Sequence, residues 1–244
     1  MFVDCLKFII HKEMRKKNIV VFSGAGMSAE SGIKTFRDTG GLWEEHKIDD
    51  VATFEAWKKN RELVLDFYNQ RRKQVMEAKT NYAHELVADL QNNFDVQVIT
   101  QNIDDLHERA GSKKVLHLHG EIMKGRSTLK HHLIYPLTNW EIKIGDKCEF
   151  GSQLRPHIVW FGEDVPEMTK ATELTEQADI FITIGTSLNV YPAANLIHVV
   201  KSDIPKFLVD PGDFNLDYIK NLTIIKATAV EGMKILSKKL NELL

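Results

Sequence analysis

Two histidines separated by one residue are the side chains in this sequence best suited to acid–base chemistry. His117 and His119 flank Leu118 in an alternating stretch, so on a strand both rings share one face. One interpretation is a metal pair, because two imidazoles at this spacing can ligate zinc. The other makes His119 a general base, since it precedes Gly120 and would end its strand at a cleft edge. For His117 we favour packing or a supporting hydrogen bond.

A polar cluster follows an apolar run that ends at Ile99, and it reads Thr100-Gln-Asn-Ile-Asp-Asp-Leu-His107. In an open α/β sheet, ligands bind beyond the carboxyl ends of the strands. Gln101, Asn102 and Asp104 are therefore expected to direct amide and carboxylate groups into a cleft. Helix capping by Asn102 or Asp104 is the alternative, although a cap needs only one such side chain.

A glycine-rich turn, Ser23-Gly-Ala-Gly-Met-Ser-Ala-Glu-Ser-Gly32, follows the apolar run Ile19–Phe22. Glycines here let the backbone approach a phosphate, and the start of the next helix supplies N–H donors. The spacing departs from G-x-G-x-x-G because Ser28 and Ala29 stand where the third glycine is expected. An ordinary tight turn is the alternative.

Three smaller signals occur further along the chain. Gly185-Thr-Ser-Leu-Asn189 is a second strand-to-loop turn with hydroxyl and amide groups. Asp210 ends an apolar run, where a carboxylate can accept from ribose hydroxyls and would repel a 2′-phosphate, which favours NAD over NADP. A structural turn at Asp210-Pro-Gly is an equally good interpretation. Val159-Trp-Phe-Gly-Glu163 offers a strand edge for pairing with an extended peptide.

The helix predicted at residues 61–78 has a row of side chains along one face that should contact the rest of the protein, and this row includes a tyrosine and an arginine. A fixed Tyr68 hydroxyl and the Arg71 fork would make a carboxylate-binding pair. An ion pair between lobes, made by Arg71, is the alternative. We expect the flanking Arg72 and Lys73 to be ordinary solvated charges. The row consists of Val64, Tyr68, Arg71 and Val75.

The order of elements predicts an α/β fold, a Rossmann-like doubly wound parallel sheet with a smaller inserted lobe. Apolar runs predict strands at 19–22, 96–99, 179–184 and 206–209, an alternating strand at 114–119 and an aromatic-rich one at 157–161. Helical patterns lie at about 61–78, 82–92, 104–110, 168–177, 192–200 and 229–243.

The domain division follows from two stretches that fit this alternation poorly. Residues 37–93 and 121–150 are assigned to the small lobe, the latter because 121–156 is polar and loop-like. Residues 14–36, 94–120 and 151–244 are assigned to the nucleotide-binding domain. Residues 1–13 are read as a leader ahead of a start at Met14, with a short amphipathic helix as the alternative.

Composition excludes several classes of protein. The 244 residues carry 32 Lys and Arg against 34 Asp and Glu, so no excess of basic charge favours nucleic acid. No apolar run approaches the length of a membrane span. The composition indicates no particular oligomeric state. Two cysteines, Cys5 and Cys148, cannot form a disulfide framework or a four-thiolate zinc site, which favours the cytoplasm.

The motifs together resemble those of the sirtuin family, in particular its bacterial type. They occur in order across residues 19–230, and five motifs in register make the resemblance specific. The motifs are Gly24-Ala-Gly-Met-Ser28, Thr100-Gln-Asn-Ile-Asp104, His119-Gly120, Val159-Trp-Phe-Gly-Glu163 and Gly185-Thr-Ser187.

The resemblance implies a Rossmann-like domain for NAD and the removal of acyl groups from lysine with NAD as co-substrate. His119 would be the base, assisted by Asn102 and Asp104. Tyr68-Asn-Gln-Arg71 also resembles the signature of sirtuins that remove malonyl or succinyl groups, with Ala52 at the pocket wall. Cofactor contacts are expected from Gly24, Ala25, Gly26, Ser28, Phe36, Arg37, Gln101, Asn102, Asp104, Gly185, Thr186, Ser187, Asp210 and Ala229. Substrate contacts are expected from Ala52, Tyr68, Arg71, Val159, Phe161, Gly162 and Glu163.

The sequence departs from the family in its small lobe. Most sirtuins carry two Cys-x-x-Cys pairs there, whereas residues 121–150 contain only Cys148. We therefore expect no zinc, and we rate a site made of Cys148, His131 and His132 as improbable. Packing would hold the lobe instead, through Leu133, Ile134, Tyr135, Trp140 and Ile142.

The resulting hypothesis is an NAD-dependent protein-lysine deacylase that releases nicotinamide and O-acyl-ADP-ribose and accepts succinyl-, malonyl- and acetyl-lysine of protein substrates. An ADP-ribosyltransferase and a non-catalytic NAD-binding module are the alternatives that share the cofactor site. A metallohydrolase built on His117 and His119 would need a third ligand that the sequence does not offer.

Overall fold

The computed structural model describes residues 15–34, 42–43 and 46–242. The expectations for the leader and the start at Met14, and for cofactor contacts by Phe36 and Arg37, lie outside the described residues. No described helix is both long enough and apolar enough to cross a bilayer.

The predicted parallel sheet is present, with six strands in the order β11-β10-β9-β1-β4-β5. Its central strand pairs with both neighbours in parallel, and Ser23 lies level with Thr100 on one side and Ile184 on the other. The polar turns that follow these strands therefore meet at one edge of the sheet. The strands are β1 (Asn18–Ser23), β4 (Asp95–Thr100), β5 (Val115–His117), β9 (Ile180–Ile184), β10 (Lys206–Val209) and β11 (Leu222–Ile225), the last of which the sequence did not predict.

Helices cover both faces of this sheet because β1 is apolar on both sides. Ile19 and Val21 pack with the helices on one face, whereas Val20 and Phe22 pack with those on the other. The predicted helices are confirmed, apart from shifts at their ends. The helices are α1 (Gly26–Ala29), α2 (Ile48–Val51), α3 (Phe54–Lys59), α4 (Arg61–Glu77), α5 (Tyr82–Asp89), α6 (Leu106–Arg109), α7 (Met168–Glu176), α8 (Leu196–Val199) and α9 (Ala229–Asn241), with 3₁₀ turns at Leu90–Asn92 and Ala193–Asn195. Of these, α1, α2 and α3 were not among the predicted helical patterns.

A second, antiparallel sheet forms where the sequence predicted a loop. Its strands are β6 (Gly120–Ser127), β7 (Ile134–Pro136) and β8 (Leu154–Ile158), with β6 in the centre. The loop-like interpretation of 121–156 was therefore wrong, and so was the strand at 157–161, which ends earlier and joins this sheet. Antiparallel strands need only one apolar face, so polar residues in β6 concealed it. A short antiparallel pair, β2 (Leu42–Trp43) and β3 (His46–Lys47), lies separately.

Arg72 is buried rather than solvated, which corrects the prediction. Its Nε donates to the carbonyl of Ile122 at 2.6 Å, and its Nη1 donates to the carbonyl of Trp140 at 2.7 Å. Burial lowers the pKa of Arg72 to about 10. Backbone carbonyls of the small lobe that lack a strand partner need donors, and this guanidinium supplies them. Lys73 is exposed, as expected.

Hydrogen bonds as well as packing hold the small lobe. Of the five apolar residues expected to fill it, Ile142 is buried, but Ile134 is 42% exposed, and the other three are only partly buried. The side chain of Asn69 adds two bonds to the Ile142 backbone, at 3.0 and 2.9 Å. Helix α4 thus anchors the lobe through polar groups that face inward.

Candidate functional site

The two glycine turns contact each other directly at the carboxyl edge of the parallel sheet. Gly26 N–H donates to the Gly185 carbonyl at 2.8 Å, and Gly24 N–H donates to Ile184 at 2.9 Å. A Cβ on Gly185, whose φ is +62°, would lie 2.3 Å from the Met27 nitrogen. The glycines are thus required for backbone to approach backbone, which sets the two turns side by side. The helix that follows, α1, has only four residues.

A buried network joins the first turn to the polar cluster after β4. Asn102 Nδ2 donates to Ser28 Oγ at 3.1 Å, and the Ser28 hydroxyl donates to Asp104 Oδ2 at 3.0 Å. Asp104 Oδ1 also accepts from the Leu106 N–H at 3.1 Å. Burial raises the pKa of Asp104, and these two donors act in the opposite direction. The structure therefore brings Ser28, Asn102 and Asp104 together, and Asp104 also binds the N–H of the first residue of α6.

Hydroxyl groups at the ends of β1 and β4 fix the loop that carries Asn102. Thr100 Oγ1 accepts from the Asn102 N–H at 3.0 Å and from the Ser23 hydroxyl at 2.9 Å. Ser23 Oγ in turn lies 2.9 Å from His107 Nε2. Since the Ser23 hydroxyl donates to Thr100, its oxygen accepts from His107, which must therefore carry its proton on Nε2. Burial keeps the pKa of His107 well below its usual value.

His119 has the geometry of a neutral base. Its Nδ1 lies 3.0 Å from the Gln101 carbonyl, which can only accept, so Nδ1 carries the proton. The lone pair of the neutral ring therefore lies on Nε2. Burial lowers the pKa of His119, while the Gln101 carbonyl acts to raise it. The ring is half-buried, at the end of the loop that follows β5.

His117 makes the supporting hydrogen bonds expected of it. Nδ1 lies 3.0 Å from the Asn102 carbonyl, and Nε2 lies 2.8 Å from Glu108 Oε1. Within the described part of the chain, no three His, Cys, Asp or Glu side chains converge as they would to hold a metal ion. The metal-pair interpretation of His117 and His119 is therefore not supported by a third ligand.

Asp210 and Ala229 lie at the same edge of the sheet, beside the second glycine turn. The Gly185 N–H donates to the Val209 carbonyl at 2.8 Å, which brings the end of β10 against this turn. Asp210 Oδ1 accepts from the Gly212 N–H at 2.8 Å, the bond expected of the structural turn. Ala229 is buried at the start of α9. Thr186 is buried and Ser187 half-buried in the turn itself.

The segment after β8, Val159–Glu163, is held by a buried charge cluster. Glu163 accepts from Arg155 Nη1 at 2.7 Å and Nη2 at 2.9 Å, and from Arg126 Nη2 at 3.1 Å. Its Oε2 also accepts from the Trp160 N–H at 2.9 Å. The Glu163 carboxylate is therefore fully engaged within the protein, so any contact with a peptide would come from the backbone of the segment, including the exposed Gly162.

The same segment forms one wall around Tyr68. Trp160 Nε1 donates to the Tyr68 hydroxyl at 3.1 Å, and the Arg155 guanidinium lies 3.3 Å from the Trp160 ring centroid. Burial raises the pKa of Tyr68, so the hydroxyl keeps its proton. The Phe161 N–H donates to the Ala52 carbonyl at 3.0 Å. Arg71 is 6% exposed on the same helix face as Tyr68, near Phe67.

Comparison with known proteins identifies the family and the fold. The sequence profile of the Sir2 family matches residues 24–192. The chain belongs to the Sir2 family. It is 51% identical over 229 residues to an NAD-dependent protein deacylase of Bacteroides thetaiotaomicron, covering 92% of this chain and 98% of the relative. A Helicobacter pylori protein of the same name is 50% identical, covering 93% and 97%. This Sir2-family chain is accordingly an NAD-dependent protein deacylase.

Solved structures of Sir2 homologues agree with this assignment. One, a complex of a Sir2 homologue with NAD, has a TM-score of 0.83 and 36% identity, covering 99% of this chain and 94% of that one. A variant Sir2 homologue bound to ADP-ribose has a TM-score of 0.84 at the same 36% identity, covering 98% and 96%. The Rossmann-like fold of this Sir2-family enzyme is thereby confirmed.

The small lobe of this Sir2-family enzyme does not fit a structural zinc ion. Cys148 is buried beside two hydroxyls, with Sγ 3.1 Å from Ser152 Oγ and 3.6 Å from Ser127 Oγ. The two serine oxygens lie 2.7 Å apart. His131 is exposed and its Nε2 lies 3.2 Å from the Thr128 carbonyl. One thiol and two neutral hydroxyls are a poor donor set for zinc.

The sequence analysis did not predict the residues that orient the side chains of the site through hydrogen bonds. Arg155 and Arg126 orient Glu163, while Ser23 and His107 orient Thr100. Arg155 is the second residue of β8, and its neighbours in the sequence gave no signal that it would be buried. The others carried none either, because each reaches its partner across distant parts of the sequence.

Proposed function

We propose that this Sir2-family deacylase removes the acyl group from a lysine of a protein substrate, releasing nicotinamide and O-acyl-ADP-ribose. The observation that carries the proposal is His119, a neutral ring with its lone pair on Nε2, two residues beyond the carbonyl-binding His117. When bound, NAD supplies the electrophilic ribose carbon that accepts the acyl oxygen. His119 Nε2 then takes a proton from a ribose hydroxyl, which a base of lowered pKa can do at neutral pH.

The groups at the carboxyl edge of the parallel sheet fit NAD. Gln101 Nε2 is buried with no hydrogen-bond partner among the described residues, so it has a donor to offer a ligand amide. Asn102 and Asp104 would hold the nicotinamide ribose. The turn at Gly24, Ala25 and Gly26, with Ser28, would hold the phosphates. Phe36 and Arg37 would also hold the cofactor, and Gly185, Thr186, Ser187, Asp210 and Ala229 would hold the adenosine end.

We further propose that the enzyme prefers acidic acyl groups, succinyl and malonyl, over acetyl. Tyr68 and Arg71 are three residues apart on one face of α4, and both are buried. The Tyr68 oxygen accepts from Trp160, which leaves its own proton to donate. Ala52, next to the segment 159–163, leaves room for the lysine chain beside them. A guanidinium and a phenol hydroxyl together suit a carboxylate.

The peptide around the lysine would lie along Val159, Phe161 and Gly162, with Glu163 shaping the segment. The domain division and the cytoplasmic location remain proposals, and so does the absence of zinc. The domain division is supported by the two separate sheets. The cytoplasmic location is supported by the small number of cysteines, and the absence of zinc by the poor donor set around Cys148.

Mass spectrometry of acyl-lysine peptides incubated with and without NAD tests the reaction. We expect NAD-dependent loss of the acyl mass from lysine, with nicotinamide and O-acyl-ADP-ribose formed in equal amounts. ADP-ribose added to a protein side chain would instead indicate a transferase. Binding of NAD without turnover of any acyl-peptide would indicate a binding module, and turnover without NAD would contradict the proposal.

A further inference from the structure

His117 makes two hydrogen bonds whose partners both accept. The Asn102 carbonyl, 3.0 Å from Nδ1, has no proton to give, and neither has the ionised carboxylate of Glu108, 2.8 Å from Nε2. A neutral imidazole has only one N–H and could satisfy only one of them. A ring that carries both protons satisfies both acceptors at once, so the geometry around His117 fits a cation.

The cation is held where its position matters for the site. Asn102 binds His117 through its carbonyl, Thr100 through its N–H and Ser28 through its side-chain amide. The His117 side chain is 8% exposed, so this bond is protected from water. Glu108 lies on α6, and its side chain is 41% exposed. Loss of the His117 bond would remove the side chain that binds the Asn102 carbonyl and so loosen the orientation of Asn102.

We propose that His117 is a positioning residue of the deacylase, which as a cation paired with Glu108 fixes the Asn102 carbonyl and so orients the Asn102 side chain toward Ser28. The inference rests on the proposed role of Asn102 in holding the nicotinamide ribose. His117 itself touches neither substrate, and its effect is transmitted through Asn102.

The charges around His117 favour the cation. Burial alone acts to lower the pKa of His117, but the hydrogen bond and charge of Glu108, helped by the Asn102 carbonyl and Glu121, raise it above its usual value. Glu121 is itself paired with Lys124 at 2.7 Å. Several charged or titratable groups face His117 or line the surface pocket beside it. They are Glu108, Asp104, His107, Glu121, Lys124, His157 and Glu167.

The two histidines therefore set opposite limbs of a pH profile. His119 must be neutral, so activity falls as the pH drops through its lowered pKa. His117 must be charged, so activity falls as the pH rises through its raised pKa. The nucleophilic acyl oxygen does not titrate, so we expect the alkaline limb of kcat to follow the charge of His117.

Glu108→Gln separates charge from geometry, because the glutamine oxygen still accepts from Nε2 but brings no negative charge. We expect the alkaline limb of kcat, measured at saturating NAD and acyl-peptide, to move down by about one pH unit, with the acid limb unchanged. Glu121→Gln is the matched control in the same cleft, and it should move the limb less because Glu121 pairs with Lys124. An alkaline limb that stays fixed in Glu108→Gln would overturn the proposal.

Nitrogen-15 NMR of the imidazole reports on the charge without turnover. The His117 resonances, identified by their loss in His117→Gln, should show two protonated nitrogens at pH 7 and a titration midpoint that falls in Glu108→Gln. A ring with one unprotonated nitrogen at pH 7 would refute the inference. A doubly protonated ring in a protein that deacylates no peptide would instead refute the proposed function, so the two failures are distinguishable.

Discussion

His117 and His119 donate to the backbone carbonyls of two adjacent residues, Asn102 and Gln101, both at 3.0 Å. The rings lie two residues apart, yet their protonation states differ. Glu108 accepts from the second nitrogen of His117 and thereby holds a second proton there. The pKa of His119 is instead governed by burial, which lowers it. One short segment thus supplies both a fixed cation and a neutral base, and only the latter can accept a proton from a substrate.

Replacement of His119 by alanine should abolish deacylation and leave NAD binding largely intact. Loss of a positioned general base lowers kcat by about 10²- to 10⁴-fold. The glycine turns should be unaffected, because the bond that the described residues make to the His119 ring is the one with the Gln101 carbonyl. Calorimetric titration with NAD and a nicotinamide-release assay measure the two effects. His131→Ala, at an exposed histidine, is the control. An equal loss of NAD binding and turnover would mean that His119 supports the pocket and is not the base.

The parallel sheet could be predicted from the sequence because its strands are apolar on both faces. Every residue of β9, Ile180–Ile184, is buried, and a short apolar run of this kind is typical of a central parallel strand. The clusters at the carboxyl ends could be located for the same reason, since parallel strands place their ends at one edge. Gly24 and Gly185 are adjacent in the structure because β1 pairs with β9.

The presence of a small lobe could be predicted, but its internal structure could not, because its bonds join residues far apart in sequence. Arg72 donates to Ile122 and Trp140, and nothing near Arg72 in the sequence indicates that it is buried. Strand β6 includes Lys124 and Arg126, and it has the composition of a loop unless its partner β8 is known. Whether a side chain of β6 points to the inside or the outside of the lobe depends on the register of the strand against its partner, which the sequence alone does not give.

Arg155 should contribute more to the stability of the folded protein than Arg126 does. Arg155 makes two bonds to Glu163, at 2.7 and 2.9 Å, with a side chain only 1% exposed, whereas Arg126 makes weaker ones through one nitrogen. Removing one partner of a buried ion pair costs about 3–5 kcal/mol. Arg155→Met should therefore lower the free energy of unfolding more than Arg126→Met, as measured by urea denaturation.

The same pair of variants separates peptide binding from cofactor binding. Since Glu163 binds the Trp160 N–H, a loosened Glu163 should raise KM for the acyl-peptide in Arg155→Met, with a smaller rise in Arg126→Met. KM for NAD should change little in either. A matched rise in both KM values would show that the charge cluster stabilises the whole enzyme and has no particular effect on the segment 159–163.

Stability should fall as the pH drops below the usual pKa of histidine. Burial, helped by the charge of Arg109, lowers the pKa of His84 to about 4. Between about pH 6.5 and 4 the unfolded chain binds a proton at this residue that the folded protein does not. The unfolded state binds more protons, so the free energy of unfolding decreases with falling pH, by about 3 kcal/mol in total from this one residue.

His84→Gln tests this linkage, because the glutamine oxygen can still accept from the Asn81 N–H that His84 Nδ1 binds. Urea denaturation at a series of pH values should give a slope smaller by about one proton than that of the wild type. His131→Gln, at an exposed histidine, is again the matched control. An unchanged slope in His84→Gln would assign the acid sensitivity to other buried histidines, such as His157, whose pKa burial also lowers to about 4.

Chelation should leave both the fold and the activity unchanged. The described donors near Cys148 are two serine hydroxyls, which bind zinc poorly, and Arg72 already bonds the lobe to α4. We expect elemental analysis of the purified enzyme to find no stoichiometric metal. We also expect EDTA to leave the urea midpoint and the deacylation rate as they were. One zinc ion per chain, with loss of structure on chelation, would contradict this expectation.

Substitution of Arg71 should separate acidic from neutral acyl groups. If Tyr68 and Arg71 bind a carboxylate, succinyl- and malonyl-lysine should have higher kcat/KM than acetyl-lysine. A charge-assisted hydrogen bond is worth about 1.5–3 kcal/mol, so Arg71→Met should lower kcat/KM for the acidic groups by about one to two powers of ten. Acetyl-lysine makes no such bond, so its rate should hold or rise as the pocket becomes more apolar.

Tyr68→Phe is the companion variant, since it removes one hydroxyl and keeps the ring that packs on Trp160. It should act in the same direction as Arg71→Met but more weakly, because a neutral donor is lost rather than a charge. It also leaves Trp160 Nε1 without the oxygen that now accepts from it, so some loss of stability should accompany the change. Equal losses for acidic and acetyl substrates in Arg71→Met would show that Arg71 supports the contact between lobes, and the acyl preference would then have to be assigned to other residues.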